Sequence, residues 1–123
     1  MDYNLTKSAE AMLCILYSEY LKRMKNGESD PKSFSGTDDV ALYTKNKLTF
    51  EQTNECLESL ARKGLICNDI SSCGIMVYAA ISDDAIAYME SKGQKAISAI
   101  FQSVLDWSPA IAECAACIAT FMQ

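Results

Sequence analysis

Between residues 5 and 24 apolar side chains recur at steps of three and four: Leu5, Ala9, Met12, Leu13, Leu16, Tyr17, Tyr20, Leu21 and Met24. That period lines one face of a long helix. Thr6 stands where an N-cap is wanted, and Lys22, Arg23 and Lys25 gather at the far end, where the helix dipole favours cations. Asn26-Gly27 ends the helix, and "ESDPKSFSG" is a loop with room for a short extended piece at residues 33–35. "TDDVALYTK" predicts a helix of about two turns, capped by Thr37 and carrying Asp38 and Asp39 in its first turn. A third helix follows "NKL". Thr49 and Gln52 have the spacing of a capping box, Phe50, Leu57, Leu60 and Ala61 mark the buried face, and Gly64 is the left-handed stop.

The period then changes. "LICNDI" and "IMVYAAI" are short β-prone runs joined by "SSCG", which predicts a hairpin with a polar tip. Ser82 caps a further helix over residues 83–106, in which Ile86, Met89, Ile97, Ile100 and Val104 keep helical spacing and Gly93 marks a kink or a close-packing point. Ser108-Pro109 begins a last helix running to about Phe121. The expected fold is therefore mainly helical with a small β-hairpin. It forms one globular unit, with residues 93–123 as a C-terminal helical extension of residues 1–92.

Length and composition fit that picture. A chain of 123 residues, half of them apolar and 22% charged, supports one core and argues against intrinsic disorder. The early Asp2 and Glu10 do not suit a secretory signal. Residues 96–122 are the membrane candidate, but Gln102, Asp106, Pro109 and Glu113 interrupt them, leaving charge-free runs too short for ~30 Å of hydrocarbon. The expectation is a cytoplasmic protein with no membrane anchor. Six cysteines in such a setting read as core residues rather than a disulfide framework. Cys114 and Cys117 form a C-x-x-C, yet a zinc site would have to draw on Cys67 and Cys73, whose five-residue spacer is too wide, and the chain has no histidine. No metal and no cofactor is expected. Without histidine, a glycine-rich phosphate loop or a nucleophile elbow, no catalytic set can be assembled. The adjacent carboxylates Asp38-Asp39 and Asp83-Asp84 sit where helix first turns want acids.

In order and in two stretches the chain resembles the winged-helix branch of the helix-turn-helix superfamily, as in MarR-like and PadR-like bacterial transcriptional regulators. "TFEQTNECLESLARKGLI" looks like the recognition helix of those families, and "ISDDAIAYMES" like the passage out of their wing. The likeness covers residues 5–92. It implies an α-α-α-β-β-α order plus one extra C-terminal helix, and a DNA-binding regulator working as a homodimer. On this chain the implied DNA-contacting positions are Lys45, Asn46, Lys47, Thr49 and Gln52. Glu51, Glu55 and Ser59 lie on the same helix, and the wing tip falls at residues 69–74. Thr49 and Asn46 would donate to phosphate, and Gln52 would read adenine. Dimerisation would fall to Ile97, Ile100, Phe101, Val104, Trp107, Ile111 and Ile118, with Phe121 beyond them. The same residues could instead fold back over the first helix within one chain.

Charge complicates the implied function. Residues 64–90 carry four carboxylates and no Lys or Arg, so the wing cannot neutralise phosphate. The solvent side of the third helix collects Glu51, Glu55 and Glu58, with Arg62 one turn beyond Glu58 as a candidate ion-pair partner. With a net charge of −5, two functions stay open. One is a DNA-binding regulator. The other is a protein-interaction module that keeps the winged-helix scaffold without DNA affinity.

Overall fold

A computed structural model describes residues 3–70 and 73–121. Eight principal elements follow in order: α1 (Lys7–Lys25), β1 (Ser33–Phe34), α2 (Thr37–Ala41), α3 (Phe50–Arg62), β2 (Ile66–Ile70), β3 (Met76–Ile81), α4 (Asp83–Ser103) and α5 (Ala110–Phe121). A 3-10 turn, Leu105–Trp107, joins the last two helices. The fold is mainly helical with a small antiparallel sheet.

That sheet has three strands in the order β1-β3-β2, so the hairpin gains a partner. Residues 33–35 were expected to be extended, but not to pair with β3, where Ser33 lies opposite Ala80 and Phe34 opposite Ala79. Within the hairpin Asp69 faces Tyr78 while Ile70 faces Met76, so the register skips Val77 and the strand bulges there. Bulges bend a strand and re-aim its side chains. The tip residues 71 and 72 of the expected turn lie outside the described residues.

Helix α1 is the centre of the core. Its stretch from Ala11 to Ser18 is buried on every side, because α3 covers one flank and α4 and α5 cover others. A helix enclosed all round needs no polar face in that stretch. Its buried Ser18 hydroxyl donates to the Ile15 carbonyl at 2.8 Å. Thr6 caps α1 as expected, accepting from the Ala9 amide at 3.1 Å.

Three expectations change, and a fourth is resolved between its two alternatives. Thr37 does not cap α2; Gly36 occupies that position, without a side-chain cap, and the buried Thr37 hydroxyl turns to α3 instead. Phe50 is 38% exposed, and Thr53 takes the buried place beside Leu57 and Leu60. The helix expected to reach residue 106 ends at Ser103. Gly93 proves to be a break: it adopts φ 81 and ψ 164 with open space where a Cβ would stand, so it bends α4 rather than admitting a neighbour. That bend lets Ile97 and Phe101 reach the core after Ala85 and Met89 have already done so. Gly64, at φ 75, ends the third helix as expected. No helix among the described residues is long and apolar enough to cross a membrane.

Candidate functional site

The residues singled out for DNA contact share one edge of the molecule. Lys45, Asn46 and Lys47 are exposed in consecutive turns between α2 and α3. Those turns are held from below. The Thr44 hydroxyl lies 2.7 Å from that of Thr53, both side chains being buried, and the Thr44 carbonyl accepts from the amides of Lys47 and Leu48 at 2.9 and 2.8 Å. From the other end of the chain the Trp107 carbonyl accepts from the Asn46 amide at 2.9 Å. The loop is a braced ledge whose two lysines point away from the core.

Thr49 and Gln52 form a complete capping box. The Thr49 hydroxyl oxygen accepts from the Gln52 amide at 3.1 Å, and the Gln52 side-chain oxygen accepts from the Thr49 amide at 2.9 Å. This limits what Gln52 can read. Its oxygen keeps one lone pair and its NH2 both donors, but the bond to the Thr49 amide turns the side chain back toward the helix start, so adenine would have to be met in that orientation. The Thr49 hydroxyl keeps its proton for an acceptor outside the chain.

Asn54, which nothing in the sequence singled out, organises the region. Its Oδ1 accepts from the Thr37 hydroxyl at 2.7 Å and from the Met76 amide at 2.9 Å. Its Nδ2 donates to the Gly74 carbonyl at 3.1 Å and to Glu58 Oε1 at 3.3 Å. One amide thus joins α2, α3 and the tip end of the hairpin, with every donor and acceptor site used. Close backbone approach reinforces the joint, since Gly36 packs so tightly on Met76 and Val77 that a Cβ there would lie 2.3 Å from the Met76 carbonyl oxygen.

Between α3 and the hairpin runs an open groove of about 460 Å³, bordered by Phe50, Glu51, Glu55, Glu58, Cys73 and Ile75. Glu51, Glu55 and Glu58 fall at steps of four and three on the outer face of α3. Among the described residues no ion pair reaches any of them, and the expected Glu58–Arg62 pair does not form. The three ion pairs among the described residues lie elsewhere: Arg23–Glu19, Lys32–Asp83 and Lys92–Glu10. Lys63 is also committed, donating to the carbonyls of Tyr3 and Asn4 at 2.6 and 3.2 Å.

The seven side chains considered for a dimer seam are placed against the chain's own core. Ile97, Phe101, Ile111 and Ile118 are fully buried, Val104 and Trp107 nearly so, and Ile100 packs half-buried beside them. They fold back over α1, the second arrangement the sequence allows; a seam made from them would require α5 to leave α1. Cys114 and Cys117 project from α5 toward α1, where the Cys117 thiol donates to the Ser18 carbonyl at 3.3 Å. Burial pushes the Cys14 thiol up to about 12 and the Cys114 thiol up to about 11, so both are protonated core groups rather than nucleophiles. Among the described residues no three Cys, Asp or Glu side chains gather as a metal site would require. Cys67 and Cys73 are exposed on the hairpin.

Comparison with protein-family models, with curated proteins and with solved structures finds no match to this chain.

Proposed function

We propose that this chain is a non-enzymatic winged-helix module that recognises a protein partner through its α3–hairpin face, rather than a reader of duplex DNA. The order α1-β1-α2-α3-β2-β3-α4 supports the winged-helix assignment, with β2 and β3 as the wing and α3 in the place of a recognition helix. One observation carries the functional choice. The outer face of α3 presents Glu51, Glu55 and Glu58 with no cation paired to them among the described residues, beside a hairpin without Lys or Arg. Duplex DNA is bound chiefly by neutralising phosphates, and this face would bring carboxylates to them instead.

A gel shift with pooled genomic fragments at low salt tests the proposal. Even weak DNA binders respond there, so retarded fragments would refute it.

A second reading, a homodimeric DNA-binding regulator, is favoured by Lys45 and Lys47, exposed on the ledge just before α3. Helix N-termini attract anions, and these lysines would add to that field. On this reading Lys47→Glu weakens binding to every DNA sequence and flattens its salt dependence. Glu55→Lys separates the two readings by sign, since it strengthens DNA binding and weakens capture of a cationic partner.

A further inference from the structure

Building on the protein-partner reading above, we infer that the α3–hairpin groove binds a short polypeptide segment in which an apolar anchor residue is flanked by Lys or Arg. Two features of the groove set the chemistry of its occupant. Phe50 and Ile75 leave 38% and 37% of their surfaces exposed at its border, so an apolar side chain entering between them removes hydrocarbon from water on both partners. The carboxylates of Glu51, Glu55 and Glu58 stand over the same opening and form no ion pair among the described residues. An apolar slot under an acidic rim discriminates against nucleic acid and anionic lipid and favours a basic segment. A second copy of this chain is disfavoured by its net charge of −5.

The spacing narrows the pattern. Seven residues separate Glu51 from Glu58, which is about 10 Å along a helix axis. An extended segment rises about 3.3 Å per residue, so basic residues three positions apart span the same distance with the anchor between them. The groove is also preformed. Asn54 ties the Gly74 carbonyl and the Met76 amide to α3, so the wall opposite the glutamates is fixed before any partner arrives.

The test pans a random dodecapeptide phage library against the full chain at 50 mM salt and titrates synthetic copies of the enriched peptides by fluorescence anisotropy. Enriched sequences should carry Lys or Arg on both sides of a Leu, Phe or Trp. Glu51→Lys/Glu55→Lys should weaken them roughly tenfold or more, since two exposed attractions become repulsions. Phe50→Ala should weaken them about tenfold through lost apolar contact. Glu90→Lys/Glu113→Lys changes net charge equally at exposed positions away from the groove, and should leave affinity within about twofold. Circular dichroism confirms that each variant is folded before titration. Enriched peptides without basic residues, or equal losses for the two charge-reversed pairs, would overturn the inference. If neither peptides nor DNA fragments bind, the short-segment inference falls while recognition of a folded protein surface by the α3–hairpin face stands. If DNA fragments are retarded, the partner reading falls with it.

Discussion

Asn54→Ala tests whether a single amide holds the hairpin against α3. The substitution removes the acceptor for the Met76 amide and for the Thr37 hydroxyl, whose residues are 1% and 0% exposed, so water cannot readily replace it. A buried polar group left without a partner costs about 1–3 kcal/mol. The Thr37 hydroxyl can rotate toward another acceptor, which sets the expected loss for both groups at about 2–4 kcal/mol. Unfolding entropy scales with chain length, and for a domain of this size 1 kcal/mol corresponds to about 4 °C in the midpoint. Thermal unfolding followed by circular dichroism should therefore show a fall of roughly 8–16 °C. Asn54→Asp is the informative companion. It keeps both acceptor contacts, loses the donations to the Gly74 carbonyl and Glu58, and sets a second carboxylate beside Glu58. Because Gly74 and part of Glu58 remain open to water, its cost should be nearer 1 kcal/mol. An alanine variant with an unchanged midpoint, or an aspartate variant less stable than the alanine one, would show that the hairpin is held by something other than this amide.

Other perturbations follow from the same structure. Gly36→Ala combines a φ of 82 that side-chain-bearing residues rarely adopt with a Cβ 2.3 Å from the Met76 carbonyl oxygen; it should cost about 3 kcal/mol or more and sharply reduce folded yield, while Ser35→Ala at the exposed neighbour should not. Phe101→Ala empties a fully buried site between α4 and the core, and should lower urea-unfolding stability by about 3–5 kcal/mol. Stability should also fall in alkali. The folded-state values of the Cys14 and Cys114 thiols are raised, to about 12 and about 11, so their contribution is complete below the ordinary thiol value of 9.0 and is lost as pH climbs through the raised values. Urea titrations at pH 7, 9 and 11 should show this decline, and Cys14→Ala/Cys114→Ala should flatten it; an equal decline in the double variant would assign the loss to other groups.

The elements whose causes are local are legible in the sequence. The Thr6 cap, the Thr49–Gln52 box, the Gly64 stop and the two β-prone runs each depend on neighbours within a few residues, and each takes the form its spacing implies. What escaped depends on contacts between distant segments. Phe50 belongs by spacing to an apolar face, yet Thr53 takes the inward place because the buried Thr44 hydroxyl awaits it there. Residues 33 and 34 are too few to declare themselves a strand, and become one because β3 offers an edge beside Ala79 and Ala80. Gly93 allowed two meanings, and only the empty space around it distinguishes a bend from a close approach.

The site divides in the same way, and Gln52 and Asn54 show why. Asn54 looks like any polar residue on a helix, because its partners Thr37, Gly74 and Met76 lie 17, 20 and 22 residues away and only the tertiary fold collects them. Gln52 is the opposite case. Its three-residue spacing from Thr49 already signalled a capping box, and a capping box engages the side-chain oxygen that adenine recognition also requires. The two roles share one atom, whose second lone pair stays open, but the capping bond fixes the direction in which the side chain points. A base contact that turned the side chain away would leave the Thr49 amide at the start of α3 without its acceptor, a cost that contact would have to exceed. The capping box therefore restricts the orientations in which Gln52 could meet a base. Carboxylates outnumber the one exposed cation, Arg62, along the outer face of α3, which is the balance that a cationic partner would suit.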